Sequence, residues 1–167
     1  MQMDAAGHSN AATGPVLLCF DGSENARQAI SAAGAVLGSR TAIVLSVWEP
    51  AALLTSLDPI GDVVGEVTGI YKEMDEIGAQ LANRQASEGT AGAHRAGFEA
   101  EALTAQGKPW AEILRVAEDH DVAAIVLGGG GLARLSSIVL GSVSARVLHN
   151  CPRPVLVIPA ADAVSGG

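Results

Sequence analysis

The sequence is poor in aromatic side chains and contains no long hydrophobic run. Aromatic residues make up only 3% of its 167 residues, whereas hydrophobic residues together reach 49%. A core of this composition must be built from aliphatic side chains, which is typical of parallel strands covered on both faces. One domain of this length buries roughly 70% of the surface that its unfolded chain exposes.

Cysteine is also scarce. Cys19 and Cys151 are too few for a disulfide scaffold and match no metal-ligand spacing, so they predict reduced thiols in the cytoplasm. No apolar run approaches the roughly 18 residues of a membrane span, and the amino terminus lacks a charged-then-apolar signal segment. We therefore expect a cytoplasmic protein without a membrane partner.

Basic residues are outnumbered by acidic ones. The chain has 10 Lys and Arg against 18 Asp and Glu, which gives a formal net charge of -8. This charge disfavours nucleic acid or an anionic membrane as a partner, so an anionic nucleotide would have to be held by local backbone dipoles. The four histidines show no metal-ligand spacing, and no protein-bound metal is predicted.

Short apolar segments alternate with amphipathic segments along the chain. The predicted strands are residues 16–20, 42–47, 98–104, 123–127 and 155–158. The predicted helices run from Ser23 to Gly38, from near Asp62 to Glu88–Gly92, from Pro109, and over 142–149. The second helix is predicted from apolar residues at helical spacing, namely Ile70, Met74, Ile77 and Leu81.

Strands that alternate with helices predict a single α/β domain with a doubly wound parallel sheet of five strands and helices on both faces. Residues 15–160 are predicted to form this domain. Residues 1–14 are expected to be a disordered leader and residues 161–167 a flexible tail.

A glycine-rich segment follows the fourth predicted strand. Its spacing is Gly128-x2-Gly131-x9-Gly141, and Ser142 and Val143 then begin a helix. Glycine lets phosphate approach backbone N–H groups closely and allows positive φ, and a helix amino terminus favours an anion. The pattern predicts a phosphate site; a structural loop whose glycines permit tight turns is the alternative. No P-loop lysine motif is present.

Ligands of doubly wound sheets bind at the carboxyl ends of the strands. Asp21, Val47 and Gly128 lie at or just past three such ends, so the sequence predicts that they share one crevice.

Four segments resemble the universal stress protein family. They are Val16–Ser23, Gly107-x-Pro109-x-Ala111, Gly128 to Val143, and Cys151–Pro159. The resemblance runs from about Val16 to Pro159 and implies the strand order 3-2-1-4-5 and usually a homodimer. For members that keep the glycine pattern, it also implies ATP or a related adenine nucleotide in the crevice.

The resemblance implies roles for individual residues. Asp21 would hydrogen-bond the adenosine part and Val47 would contact the adenine. Cys19 stands where relatives carry a proline beside the base, and Ser46 stands where the family often has a histidine. The ribose and phosphates would be enclosed by Leu127, Gly128, Gly131, Gly141, Ser142 and Val143.

For three side chains the sequence leaves an alternative role open. Asp21 either binds the ligand or caps its own turn through the amides near Ser23. Val47 either contacts adenine or belongs to the core. Arg134, within the nine-residue spacer, either reaches the phosphates or is a solvated charge.

The sequence therefore predicts a regulatory stress-response protein that binds ATP, ADP or AMP, with Mg²⁺ held mainly by the phosphates. No base or water-activating group is evident, so an efficient enzyme is not predicted. The alternatives are a dimeric interaction module without nucleotide and a slow ATPase. Val155–Ile158 would form a sheet edge that pairs with a second copy, or a covered edge in a monomer.

Overall fold

The computed structural model describes residues 13–51, 64–129 and 141–160. Within these ranges the strands are β1 (Val16–Cys19), β2 (Thr41–Trp48), β3 (Glu99–Gln106), β4 (Ala124–Gly128) and β5 (Val155–Ile158). The helices are α1 (Glu24–Leu37), α2 (Val64–Arg95), α3 (Pro109–Asp119) and α4 (Ser142–Asn150). The predicted tail, the predicted leader up to residue 12, and the predicted start of the second helix near Asp62 lie outside the described residues.

The strands form one parallel sheet in the order β3-β2-β1-β4-β5. The prediction of a doubly wound sheet with this strand order is confirmed. β1 is central and pairs with β2 on one side and with β4 on the other. Because the strand order reverses between β1 and β4, a crevice opens at their carboxyl ends.

Two aliphatic layers cover the sheet. Leu18 and Val44 pack with Ile30 of α1 on one face, and Leu17 and Ile125 pack with the α3 and α4 side chains on the other. Successive residues of a strand point to opposite faces, which explains why Leu17 and Leu18 are both fully buried. The helices on both faces confirm the fold predicted from the aliphatic composition.

Local signals place the ends of α1 and α3. The Ser23 Oγ accepts a hydrogen bond from the Ala26 N–H at 3.1 Å, and Gly38 ends α1 with φ 70°. Pro109 is the first residue of α3, as predicted. The predicted end of the second helix at Glu88–Gly92 is wrong, because α2 continues to Arg95 and the chain leaves it through Gly97 with φ 96°.

The apolar residues that predicted α2 do not form its buried face. These residues are 56%, 45%, 60% and 52% exposed, in the order Ile70, Met74, Ile77 and Leu81. Small residues pack on the sheet instead, namely Ala82, Ala86, Gly89 and Ala93. A Cβ on Gly89 would lie 2.8 Å from both Phe20 Cγ and Val44 Cγ1, so this side of α2 lies close to β1 and β2. None of the described helices is long and apolar enough to cross a membrane.

Candidate functional site

A cavity of about 400 Å³ opens at the carboxyl ends of β1, β2 and β4, beside the amino termini of α1, α3 and α4. Its volume is within the range of about 300–1,000 Å³ that is common for small-molecule sites. Gly131 and Arg134 lie outside the described residues. The other predicted site residues all line the cavity: Cys19, Asp21, Val47, Leu127, Gly128, Gly141, Ser142 and Val143.

The amino terminus of α4 forms one wall of the cavity. Gly141 is its N-cap and offers no side-chain hydrogen bond, and the Ala145 N–H is the first to bond within the helix, to Gly141 O at 2.9 Å. Among the described residues, none accepts from the N–H groups of Ser142, Val143 or Ser144. These amides lie at the positive end of the helix dipole and are suited to an anion.

Unlike α4, α1 has a side-chain cap at its amino terminus, which Ser23 provides. The Asp21 Oδ1 accepts a hydrogen bond from the Ser23 N–H at 2.9 Å, so the turn-capping alternative for Asp21 is correct for this oxygen. No described residue donates to Asp21 Oδ2. Since Asp21 is exposed and lines the cavity, this second oxygen is available to a ligand.

Asp21 is the only charged residue among the described residues that line the cavity. Near it, the floor is apolar and half-buried, with Cys19 and Val47 packed on the core layer below the sheet. Burial, together with the negative charge of Asp21, raises the pKa of the Cys19 thiol. The thiol is therefore neutral at physiological pH and serves as a small apolar group. Val47 packs on the core and also lines the cavity, so the core alternative is correct and its contact with adenine stays a prediction.

Packing within the protein, and not only contact with phosphate, favours glycine at position 128. A Cβ at this position would lie 3.0 Å from the backbone C and O of Asn25 and 3.2 Å from Ala26 N. Gly128 thus lets β4 end against the first turn of α1. Neither Gly128 nor Gly141 adopts the positive φ that glycine allows; the φ of Gly141 is -60°.

Several lining residues were not predicted as part of the site. The Asn25 Nδ2 donates to Gly129 O at 3.0 Å, which ties α1 to the end of β4. Pro109 and Ile113 bring the start of α3 to the cavity. The topology could have predicted that the start of α3 lies at the cavity, because each helix of such a fold begins near the carboxyl ends of the strands. No spacing in the sequence indicates the contact of Asn25 with Gly129.

The family assignment follows from a match over nearly the whole described chain. The model of the universal stress protein family matches residues 13–159. The chain belongs to this family. Its resemblance to the family, stated from four short segments, is thereby confirmed.

Relatives of similar length support the assignment. The Thermus aquaticus protein named universal stress protein in QAH/OAS sulfhydrylase 3'region is 31% identical over 145 residues, which cover 86% of this chain and 96% of that protein. Universal stress protein YxiE of Bacillus subtilis is 30% identical over 152 residues, which cover 86% and 97%.

Solved structures have the same fold. The structure of MJ0577, a protein of Methanocaldococcus jannaschii, has a TM-score of 0.68 at 25% identity and covers 89% of this chain and 96% of that chain. A universal stress protein in complex with cAMP has a TM-score of 0.57 at 20% identity, with 88% and 97% covered. The Archaeoglobus fulgidus universal stress protein in complex with dAMP has a TM-score of 0.56 at 20% identity, with 87% and 97% covered.

Proposed function

We propose that this universal stress protein binds an adenine nucleotide in the cavity and acts as a regulator in a stress response. ATP is the proposed ligand, with ADP and AMP as related candidates. The observation that carries the proposal is the uncapped first turn of α4, whose amides lie at a cavity with an apolar floor. The family's cAMP and dAMP complexes support an adenine nucleotide as the class of ligand.

The cavity suggests how such a ligand lies. The base contacts the apolar floor at Cys19 and Val47, and Asp21 Oδ2 accepts a hydrogen bond from the adenosine part. The phosphates lie at the amides of Ser142 and Val143, where the helix dipole stabilises negative charge. The ribose and phosphates would be enclosed by Leu127, Gly128 and Gly141. Gly131 is predicted to join them and Arg134 to reach the phosphates, and both lie outside the described residues.

We propose a binding protein and not an efficient hydrolase. Among the described residues that line the cavity, Asp21 is the only carboxylate, and its Oδ1 is already occupied by the Ser23 N–H. No lysine of the P-loop type is present in the sequence to neutralise a transferring phosphoryl group. Because the described lining offers a single carboxylate, Mg²⁺ would be held mainly by the phosphates themselves. The free cysteines Cys19 and Cys151 fit a cytoplasmic location.

Calorimetric titration with ATP and with AMP, each with and without Mg²⁺, tests the proposal. We expect saturable binding by the wild type and a loss of about tenfold or more in affinity for Gly141→Val. The φ of -60° at Gly141 is open to any residue, so valine adds no backbone strain there. Because Gly141 lines the cavity, we expect the added side chain to take space that the phosphates need.

Gly69→Val is the matched control, because a Cβ at Gly69 meets nothing within 4 Å and the residue does not line the cavity. No heat and no thermal shift with either nucleotide would favour a dimeric interaction module instead. Phosphate release by the wild type above the Gly141→Val level would favour a slow ATPase.

We also propose a homodimer through the edge of β5 that pairs with no strand among the described residues; its four residues are all partly exposed. The Ile125 N–H donates to Pro154 O and the Gly129 N–H donates to Ile158 O, so alternate residues of β5 direct their backbone groups to β4. The backbone groups of Val155 and Val157 therefore point to the open edge, where a second copy can pair with them.

We expect Val157→Pro to convert a wild-type dimer into a folded monomer, as measured by light scattering after gel filtration. Proline removes an outward N–H without breaking the ladder to β4. Val157→Thr keeps that N–H and should remain dimeric. A monomeric wild type, or a Val157→Pro variant that is still dimeric, would refute this interface.

A further inference from the structure

Gln85 of α2 contacts the Asp21 turn from outside the cavity. Its Nε2 donates to Asp21 O at 2.8 Å, and its Oε1 accepts from the Ser46 Oγ at 3.0 Å. None of the described residues that line the cavity belongs to α2. The side chain of Gln85 thus connects the buried end of β2 to the turn that carries the proposed ligand-binding carboxylate.

The chemistry of the two partners fixes the orientation of the Gln85 amide. The backbone carbonyl of Asp21 only accepts hydrogen bonds, so the amide nitrogen must face it. The amide oxygen then faces Ser46, whose hydroxyl donates. Ser46 is fully buried, and a buried hydroxyl without a partner is costly, so its hydrogen bond to Oε1 stabilises the position of the amide, while the Asp21 carbonyl sets the orientation.

The turn fits closely around the same amide. Gly22 has φ 78°, and a Cβ there would lie 2.9 Å from Gln85 Nε2. Beside it, the Asp21 Oδ1 receives the Ser23 N–H. With its carbonyl held by Gln85 and one carboxylate oxygen held by Ser23, Asp21 keeps Oδ2 as the oxygen available to the cavity.

We propose that Gln85 is a positioning residue that holds the Asp21–Gly22 turn in the geometry required for nucleotide binding. The inference rests on the proposed function, because the ligand of Asp21 Oδ2 is the nucleotide. It adds that α2, which does not line the cavity, determines the affinity of the site through the hydrogen bond from Gln85 to Asp21 O.

The Gln85→Glu variant tests the hydrogen bond with little change in shape. At pH 8 the introduced carboxylate cannot donate to the Asp21 carbonyl and repels it, so we expect about tenfold weaker binding of AMP. A protonated carboxyl can donate again. The deficit should therefore shrink to less than about threefold at pH 5.5, since the carbonyl and Asp21 raise the pKa of the introduced carboxyl above the usual glutamate value of about 4.3.

Gln80→Glu is the matched control, because it makes the same charge change on an exposed part of α2. By contact or by sequence, the charged residues near position 85 are Asp21 in the turn, the adjacent Arg84, and Glu88, which pairs with Arg27 of α1; β2 presents the uncharged Ser46. These groups and the titration of AMP are common to both variants, so the affinity ratio at each pH reports on position 85.

A second readout does not need a ligand. Solvent exchange of the Ser23 amide proton, followed by NMR in the ligand-free protein, should be faster in Gln85→Glu than in Gln80→Glu at pH 8 and similar at pH 5.5. If the wild type binds no nucleotide, the proposed function fails, while this exchange rate still tests whether Gln85 holds the turn.

Equal affinities of the two variants at pH 8, or equal exchange rates where no nucleotide binds, would overturn the proposal. A deficit that persists unchanged at pH 5.5 would also overturn it, because the effect would not come from the lost donor. If Gln85→Glu does not fold, Gln85→Leu takes its place, with about tenfold weaker binding expected at both pH values and wild-type affinity contradicting the proposal. Should neither variant fold, exchange of the Gln85 side-chain amide protons in the wild type decides: slow exchange supports the bond, and free exchange overturns it.

Discussion

Gly128→Val is expected to lower the free energy of unfolding of the ligand-free protein by about 3 kcal/mol, at the upper end of the cost of overpacking. The first added atom alone would lie 3.0 Å from the Asn25 backbone, and the two methyl groups add further bulk. These neighbours are main-chain atoms of the first turn of α1, so they cannot move aside by a change of rotamer. Urea denaturation followed by circular dichroism measures the effect.

Asn25→Ala is the control for this prediction. It removes the hydrogen bond to Gly129 O at 3.0 Å but adds no bulk beside Gly128, so we expect a loss of only about 1 kcal/mol. If Gly128→Val kept wild-type stability without ligand and lost only nucleotide affinity, Gly128 would serve the phosphates alone. Our packing explanation would then be wrong.

The sequence was sufficient to predict the order of the strands and helices along the chain and the place of the cavity. Apolar segments and capping residues such as Ser23 and Gly38 placed the strands and α1, and the resemblance to the family supplied the strand order. Asp21, Val47 and Gly128 were predicted to meet because parallel strands bring their carboxyl ends to one edge of the sheet. The convergence of these three residues could be inferred from local pattern and topology, whereas the strand order needed the resemblance.

The packing of α2 could not be predicted in the same way. Helical spacing of Ile70, Met74 and Ile77 gives the period of a helix but does not say which face meets the sheet. The helix lies so close to the sheet that only its face with small residues fits there. The bond from Gln85 to Asp21 spans 64 residues of sequence and exists only because α2 lies at this short distance.

Gly89→Val is the prediction that tests this close approach. We expect it to lower the free energy of unfolding by about 3 kcal/mol, because its Cβ would lie 2.8 Å from Phe20 Cγ and Val44 Cγ1, both on fully packed side chains. The added side chain would also displace Phe20, which directly precedes Asp21. Nucleotide affinity should therefore fall as well, which thermal denaturation and calorimetry measure together.

Gly92→Val, three residues further along α2, is the matched control. A Cβ at Gly92 meets only the Arg95 Nη2 at 3.7 Å, and valine is a slightly better helix former than glycine. Its stability should stay within about 0.5 kcal/mol of the wild type. If the two valine variants were equally stable, the small-residue face of α2 would not be what holds the helix against β1 and β2. The link from α2 to the Asp21 turn would then lose its structural basis.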